Sequence, residues 1–272
     1  MEALTLESRQ EANLLFTAHT VVSSCAIEGE VLDLSAVKAS VGRQLSAPFA
    51  PEHPVDGAVA AYLDASQRHA DPLTLDRLHS WHRALFPTGQ SGGRSIATGT
   101  LRDDSKGRMQ VVSYSPGFAP IVLYQAPHAA VLSGEMDRFL SYLNGSDMTH
   151  PFIKAAIAHL WFVAIHPYED GNGRIARAIA DLALARSEGS SQRFYSMSAQ
   201  IRTERNAYYD QLERTQKGGT DVTAWILWFL DCLGRAIHGA DGVLAAVVAK
   251  GQFWERAAAL ALNERQIKVL NR

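Results

Sequence analysis

Residues 155–177 read AAIAHLWFVAIHPYEDGNGRIAR, and this run decides how the rest of the chain is read. Its first half belongs to a strongly apolar helix that the spacing predicts over about 151–165. That helix delivers His166 to its end. Pro167 cannot continue it, because proline lacks the amide hydrogen and its ring clashes with the preceding turn. The chain therefore turns out into a polar loop over 166–173. Gly171 and Gly173 let the backbone approach a ligand closely. A second helix starts at about Arg174 and runs to about 187. Its first amides have no partner within the helix and point into the loop.

A helix start of this kind is a recipe for an anion site. Free N–H groups and the positive end of the helix dipole face the same space. Arg174 sits in the first turn, and Arg177 lies three residues on, on the same face. Two guanidinium groups can therefore reach phosphate oxygens in bidentate fashion. Asp170 sets a carboxylate beside this nest, and one carboxylate plus substrate phosphates is a common way to hold Mg2+. His166 has an ordinary pKa of about 6.5, suited to general-base work. Each group alone has a duller reading. GNG is an ordinary loop, His166 a helix-end residue, Asp170 a solvated turn acid, and either arginine a surface charge. A structural loop does not need all of them together; phosphoryl-type transfer does.

Outward from this segment the periodicity is helical nearly everywhere. Leu14, Leu15, Ala18, Val21, Val22 and Cys25 fall at helical spacing over 8–29. Pro48, Pro51 and Pro54 break the chain, and helices follow at about 55–69 and 74–86, with Asp71-Pro72 at the turn between them. Pro87 and five glycines mark a long loop over 87–108. Residues 109–114 and 121–124 are β-branched and aromatic, with Ser115-Pro116-Gly117 between them, and read as a short hairpin. Pro127 suits the first turn of a helix ending near Asn144-Gly145. Residues 198–217 read as helix with a break near Asn206. Asp221 is placed as N-cap of a helix over 222–237, and a last helix runs over about 241–260. The fold class is all-α, a helical bundle with one short β-hairpin.

Composition narrows the options. The 272 residues, 47% of them hydrophobic, suffice for a sizeable core in one domain with additions or in two small ones. A formal net charge of -2 gives no sign of a polyanion binder. Two distant cysteines, Cys25 and Cys232, make neither a disulfide framework nor a zinc site, and are expected to be buried. His159, His79 and His82 are expected to pack rather than react, and Trp225, Trp228 and Phe229 to lie in the core. The first residues lack a signal peptide's basic and apolar regions, and the apolar run at 224–230 is far shorter than the roughly 20 residues of a membrane span. The expectation is a soluble, cytoplasmic protein.

HPYEDGNGRIAR resembles the Fic signature HPFx(D/E)GNGRxxR, departing from it only at Tyr168, where phenylalanine is usual. Gly99-Thr100-Leu101-Arg102 and the hairpin ending Tyr124-Gln125-Ala126-Pro127 look like that family's GxxR segment and target-docking flap. Arg205-Asn206-Ala207-Tyr208-Tyr209 looks like the end of its core. The resemblance covers about 75–238 and implies a Fic-type helical bundle with a protein adenylyltransferase activity, moving AMP from ATP to a Ser, Thr or Tyr hydroxyl of a target. It makes His166 the base and Asp170 the ligand of Mg2+. It assigns Asn172, with the Gly171 and Gly173 backbone, to the phosphate cradle, Arg174 to the β-phosphate and Arg177 to the γ-phosphate. Tyr208, Tyr209 and Gln216 match positions that line the adenosine pocket, although a tyrosine pair on a helix is more often core. Leu123, Tyr124 and Gln125 match the flap that binds a target by strand addition.

Ser24-Cys25-Ala26-Ile27-Glu28-Gly29 looks like the inhibitory motif (S/T)xxxE(G/N). By that resemblance Glu28 pairs with Arg177 and Ser24 fixes the helix. The implied domains are an N-terminal helical region at 1–74 with the inhibitory helix, a catalytic core at 75–240, and a C-terminal helix at 241–272 whose closing LNERQIKVLNR begins a further element. Nucleic acid enters as a partner only if that element is a winged helix. Self-modification, a homodimer, AMP removal, transfer of UMP, phosphocholine or a phosphoryl group, and a non-enzymatic regulatory module stay open.

Overall fold

The computed structural model describes residues 6–46, 54–113, 119–146, 148–257 and 262–270. The first apolar stripe forms α1 (Leu6–Ile27). Helices α2 (Leu34–Ser46) and α3 (Pro54–Gln67) pack on it and on each other. Helix α4 (Leu75–Leu85) starts at Thr74, whose hydroxyl accepts from the Arg77 amide and so satisfies an orphan donor of the first turn. Two antiparallel pairs follow: β1 (Gln90–Ser91) with β2 (Arg94–Ser95), and β3 (Gln110–Ser113) with β4 (Ile121–Gln125). Gln110 faces Gln125 and Ser113 faces Ile121; an irregularity between Val111 and Val112 leaves Leu123 as the extra residue of β4. A 3-10 turn at Ala129–Val131 leads into α5 (Leu132–Asn144). Then come α6 (Pro151–Ile165), α7 (Asn172–Glu188), α8 (Met197–Thr203), α9 (Arg205–Lys217), α10 (Thr223–Ala257) and α11 (Glu264–Leu270).

The core is organised round α7, which is buried continuously from Arg174 to Ala185. A helix buried on all sides needs partners all round, and α1, α3, α4 and α6 supply them. Alanines at 155, 156 and 158 of α6 and at 176, 180 and 183 of α7 are buried and let the two axes approach closely. Trp225 and Phe229 of α10 fill the far side of α6, each fully buried, which contributes about 2–3 kcal/mol per side chain. Trp225 Nε1 donates to Ala156 O at 2.8 Å, and His159 Nε2 lies 3.0 Å from Tyr208 Oη, while His159 Nδ1 is buried without a partner. Both cysteines are buried and free.

Several boundaries differ from the sequence reading. α7 begins at Asn172, because Gly171 at φ 80° already turns the chain into the helix. α5 begins at Leu132 rather than near Pro127; His128 caps the intervening 3-10 turn. The 198–217 segment breaks at Glu204. The two helices expected over 222–237 and 241–260 are one helix as far as Ala257. Ala240 and Val247 continue its apolar face against Ala12 and Phe16 of α1, so no break is needed. By length and composition alone α10 could cross a membrane, contrary to the short apolar run read at 224–230. Its buried side is spent on the core, and Arg235 makes a two-pronged pair with Glu204 at 2.6 and 2.6 Å. The expected hairpin turn at Ser115-Pro116-Gly117, the breaks at Pro48 and Pro51, and the last residues of the 241–260 helix lie outside the described residues.

Candidate active site

His166 is the C-cap of α6 and stands in the left-handed region at φ 50°, ψ 58°, a conformation costing a non-glycine residue about 1–2 kcal/mol. Its surroundings over-determine it. Arg102 is buried and donates from Nε to His166 O at 2.7 Å and from Nη2 to Pro127 O at 2.7 Å. The Arg102 amide donates to Pro167 O at 2.9 Å, and Asp104 pairs with the same guanidinium at 3.0 Å. On the ring, Nδ1 lies 3.3 Å from Val163 O, which favours the proton on Nδ1 and leaves the Nε2 lone pair for a substrate. Burial pulls its pKa down to about 4, with the Val163 contact opposing and Arg102 reinforcing. The imidazole is thus neutral at neutral pH, where the sequence suggested an ordinary histidine.

The loop after it is held by its own side chains and by α4. Asn172 accepts from the Tyr168 amide at 3.0 Å and donates back to Tyr168 O at 2.8 Å. Its amide is therefore committed to the loop, and what it offers a ligand is its position at the helix start. Tyr168 is buried and stacks on His82 with ring centroids 4.2 Å apart. Its hydroxyl meets His79 Nδ1 at 3.0 Å, so tyrosine is accommodated where the signature has phenylalanine. His82 accepts from the Gly99 amide at 2.9 Å through Nδ1 and donates to Asp170 O at 3.1 Å through Nε2. Burial lowers its pKa to about 4, consistent with that neutral tautomer. A Cβ at Gly171 would come within 2.8 Å of the Phe86 ring, so only glycine fits there.

Asp170 accepts from Gly171 N at 2.6 Å through Oδ1 and from Ser91 Oγ through Oδ2. Each oxygen keeps a further lone pair. Among the described residues no cluster of three or more His, Cys, Asp or Glu could hold a metal. A single carboxylate fits a cation bound chiefly by phosphate oxygens and water, as Mg2+ usually is.

Both arginines point into the site, and both are engaged by the end of α1. Arg177 is buried; its Nε donates to Ser24 Oγ at 2.8 Å and its Nη2 to Ser24 O at 2.9 Å and Glu28 Oε1 at 2.7 Å. Burial alone would lower its pKa, but Glu28, with Tyr208 and Tyr62, more than offsets this and the net shift is upward. Tyr62 Oη lies 2.6 Å from Ser24 Oγ and 3.2 Å from Arg174 O, tying α3 to the same knot. Arg174 pairs with Glu30 at 2.7 Å and lies 4.8 Å over the Phe86 ring. Arg177 Nη1 and Arg174 Nε are buried without a partner. An ideal Cβ at Gly173 would sit 2.1 Å from Glu28 Oε1. The carboxylate therefore rests against the first turn of α7, where the dipole and free amides favour an anion.

The remaining expected residues are more dispersed. Tyr208 is buried behind Arg177, with its hydroxyl on His159. Tyr209 Oη donates to Ile27 O at 3.2 Å, beside Arg205 Nε at 2.9 Å, so together they clamp the last turn of α1. Gln216 lines a cavity of about 610 Å³ with Tyr124, Trp161 and Ala164, and its Nε2 is buried without a partner. Tyr124 Oη donates to Ala164 O at 2.7 Å, holding β4 over the end of α6. Leu123 is the bulge residue and Gln125 is exposed. Sequence reasoning gave no role to Arg102, His82, Ser91, Tyr62 or Glu30. Arg102 stood in the GxxR segment and Glu30 two places beyond Glu28; the others carried no local signal.

An apolar helix ending in a strained histidine, a glycine loop and a helix start with two inward arginines define a helical domain with a seat of the kind that suits an anion. Residues 72–184 match the Fic/DOC family, and residues 1–47 match a domain of unknown function, DUF4172. Residues 72–184 thus carry a Fic domain. The chain is 34% identical over 113 residues to "Protein adenylyltransferase Fic" of Culex quinquefasciatus, covering 41% of this chain and 21% of that protein. It is 25% identical over 236 residues to the protein of the same name from Nematostella vectensis, covering 83% of this chain and 48% of that one. The chain thus spans between about a fifth and about half of these curated relatives. A Fic family protein from Desulfovibrio desulfuricans G20 shares the fold with a TM-score of 0.65 at 23% identity, over 89% of this chain and 68% of that one.

Proposed function

We propose that this chain is a protein adenylyltransferase, moving AMP from ATP to a hydroxyl of a protein, and that the end of α1 restrains it. The observation that carries the reading is the seat at the start of α7. Two arginines and the first amides of α7 converge on one small space, at the end of the loop that begins with a neutral histidine. In this reading Arg177 takes the γ-phosphate, Arg174 the β-phosphate, and the amides from Asn172 to Arg174 the oxygens between them. Asp170 would hold Mg2+ together with the phosphates, and the ion would supply charge neutralisation to the leaving pyrophosphate. His166 Nε2 takes the proton from the target's Ser, Thr or Tyr hydroxyl; that oxygen forms a bond to the α-phosphorus as the bond to pyrophosphate breaks. Arg102 keeps the imidazole in place by holding the backbone that bears it.

The hairpin supports a docking role. β4 pairs only with β3 among the described strands, so its other edge offers main-chain donors and acceptors. Strand addition there gives register without demanding a sequence. Gln216 beside the 610 Å³ cavity suits the nucleoside end of ATP, with Tyr124 above it. The buried positions of Tyr208 and the clamp made by Tyr209 favour supporting roles for that pair.

Glu28 occupies the seat that a γ-phosphate would need, so the resting chain transfers slowly in this reading. Wild-type and Glu28→Gly chains incubated with ATP and Mg2+ are compared by intact mass. The variant is expected to gain AMP at least several-fold faster. Equal rates in a folded variant reject the restraint, and no AMP on the chain or on any added protein rejects the activity. A loss of AMP from pre-modified protein would reassign the site to removal.

A further inference from the structure

We propose that Glu30 is a specificity-determining residue that sets how strongly the site prefers a mononucleotide over nucleoside di- and triphosphates. The proposal rests on the assignment of Arg174 to the β-phosphate and Arg177 to the γ-phosphate made above.

Glu30 lies outside the inhibitory motif, yet it makes the matching contact. Its Oε2 is 2.7 Å from Arg174 Nη1, while Glu28 Oε1 is 2.7 Å from Arg177 Nη2. Two carboxylates two residues apart thus engage two arginines three residues apart on α7, one each. The turn that aims them is fixed. The Glu28 and Glu30 amides both donate to Cys25 O at 3.0 Å, and Gly29 between them takes φ 86°. Nothing lies within 4 Å of a Cβ built at Gly29, so the positive φ alone calls for glycine. Arg205 and Tyr209 hold Ile27 O from the other side.

The two pairs differ in setting. The Arg177 side chain is 1% exposed and the Glu28 side chain 33%; for Arg174 and Glu30 the values are 9% and 37%. Each arginine has one further buried nitrogen without a partner, Nη1 on Arg177 and Nε on Arg174. The guanidiniums are therefore only partly satisfied by the carboxylates. A ligand whose second phosphate needs Arg174 must displace Glu30; one that ends at its first phosphate need not. A third phosphate must displace Glu28 as well. Glu30 thus penalises the diphosphate and triphosphate alike, and Glu28 the triphosphate in addition.

The test is equilibrium binding of AMP, ADP and ATP to the full chain by titration calorimetry, with thermal melting as a check of folding. Glu30→Gln keeps the side chain's size and removes the charge. It is expected to tighten ADP and ATP by about three- to five-fold, as loss of a half-exposed ion pair of up to ~1 kcal/mol implies. AMP is expected to change by less than about two-fold, and the gain to shrink with added salt. Glu30→Asp keeps the charge but shortens the reach, and is expected to tighten ADP less than Glu30→Gln. Glu28→Gln is expected to tighten ATP more than ADP. Unchanged ADP binding in Glu30→Gln, or an equal gain for AMP, overturns the proposal while a Glu28→Gln gain for ATP leaves the wider reading intact. Failure of every variant to bind any nucleotide overturns both.

Discussion

The 166–177 loop and the β3–β4 hairpin both adjoin the end of α6 and are built on opposite principles. The loop is tied at nearly every step: Arg102 to the His166 carbonyl, His82 to the Asp170 carbonyl, Asn172 twice to Tyr168. The hairpin is short, bulged at Leu123, and exposes Ile121 by 59% and Val122 by 43%. The Tyr124 hydroxyl on Ala164 O ties it to the body. Chemistry needs atoms fixed to within fractions of an ångström, whereas an edge that recruits a strand by main-chain bonds gains from leaving its side chains uncommitted. The difference teaches where substitutions should hurt.

Removing His166 should have the largest effect. His166→Ala, in the Glu28→Gly background, is expected to slow AMP transfer by about 10²- to 10⁴-fold and to leave ATP affinity within about two-fold, both read from time courses by intact mass and from calorimetry. Persistent transfer would move the base elsewhere and blunt the contrast. Asn172→Ala comes next. It strips both bonds to Tyr168 from a buried site, at a cost of about 2–3 kcal/mol, so Tm should drop by roughly 5–10 °C. A drop under about 2 °C would mean the loop is not held this way.

Acid probes the same rigidity. His82, His166 and His159 have pKa values lowered to about 4, 4 and 3, in each case mainly by burial. The unfolded chain binds those protons near pH 6.5 and the folded one does not. Stability should therefore be full above about pH 6.5 and fall progressively as pH drops toward 4. Melting curves between pH 7.5 and 5 that do not shift would contradict this. The smallest effect belongs to the hairpin. Ile121→Lys is expected to change stability by less than about 0.5 kcal/mol, a barely measurable Tm shift. A loss as large as that of Asn172→Ala would erase the distinction between the two regions.

Much of the loop was legible because its chemistry is local. His166, Pro167, the glycines and the arginines are neighbours in sequence, and helix starts and stops follow from residue type. The Ser24/Glu28 spacing was legible as a helix face, but its partner at Arg177 followed only from resemblance. Arg102, His82 and Tyr62 were opaque because their roles are contacts across long separations, and nothing in a buried arginine's flanks says which carbonyl it will hold. Tyr208 is opaque in the same way: its sequence gave no sign that its hydroxyl meets the buried His159. The fusion of the helices expected over 222–237 and 241–260 into α10 was hidden because the apolar side that joins them is matched by residues of α1 far away in sequence.

The Glu28–Arg177 contact joins residues 149 positions apart. On a ribosome adding about 5–20 residues per second, Glu28 is therefore made roughly 7–30 s before the arginine it meets. For that interval the greasy face of α1 has none of α7, α8 or α10 to cover it, and long-range closures of this kind form late in folding. Until Arg177 is made, Glu28 has no such partner, and the apolar side of α1 is open to stickiness and to chaperones.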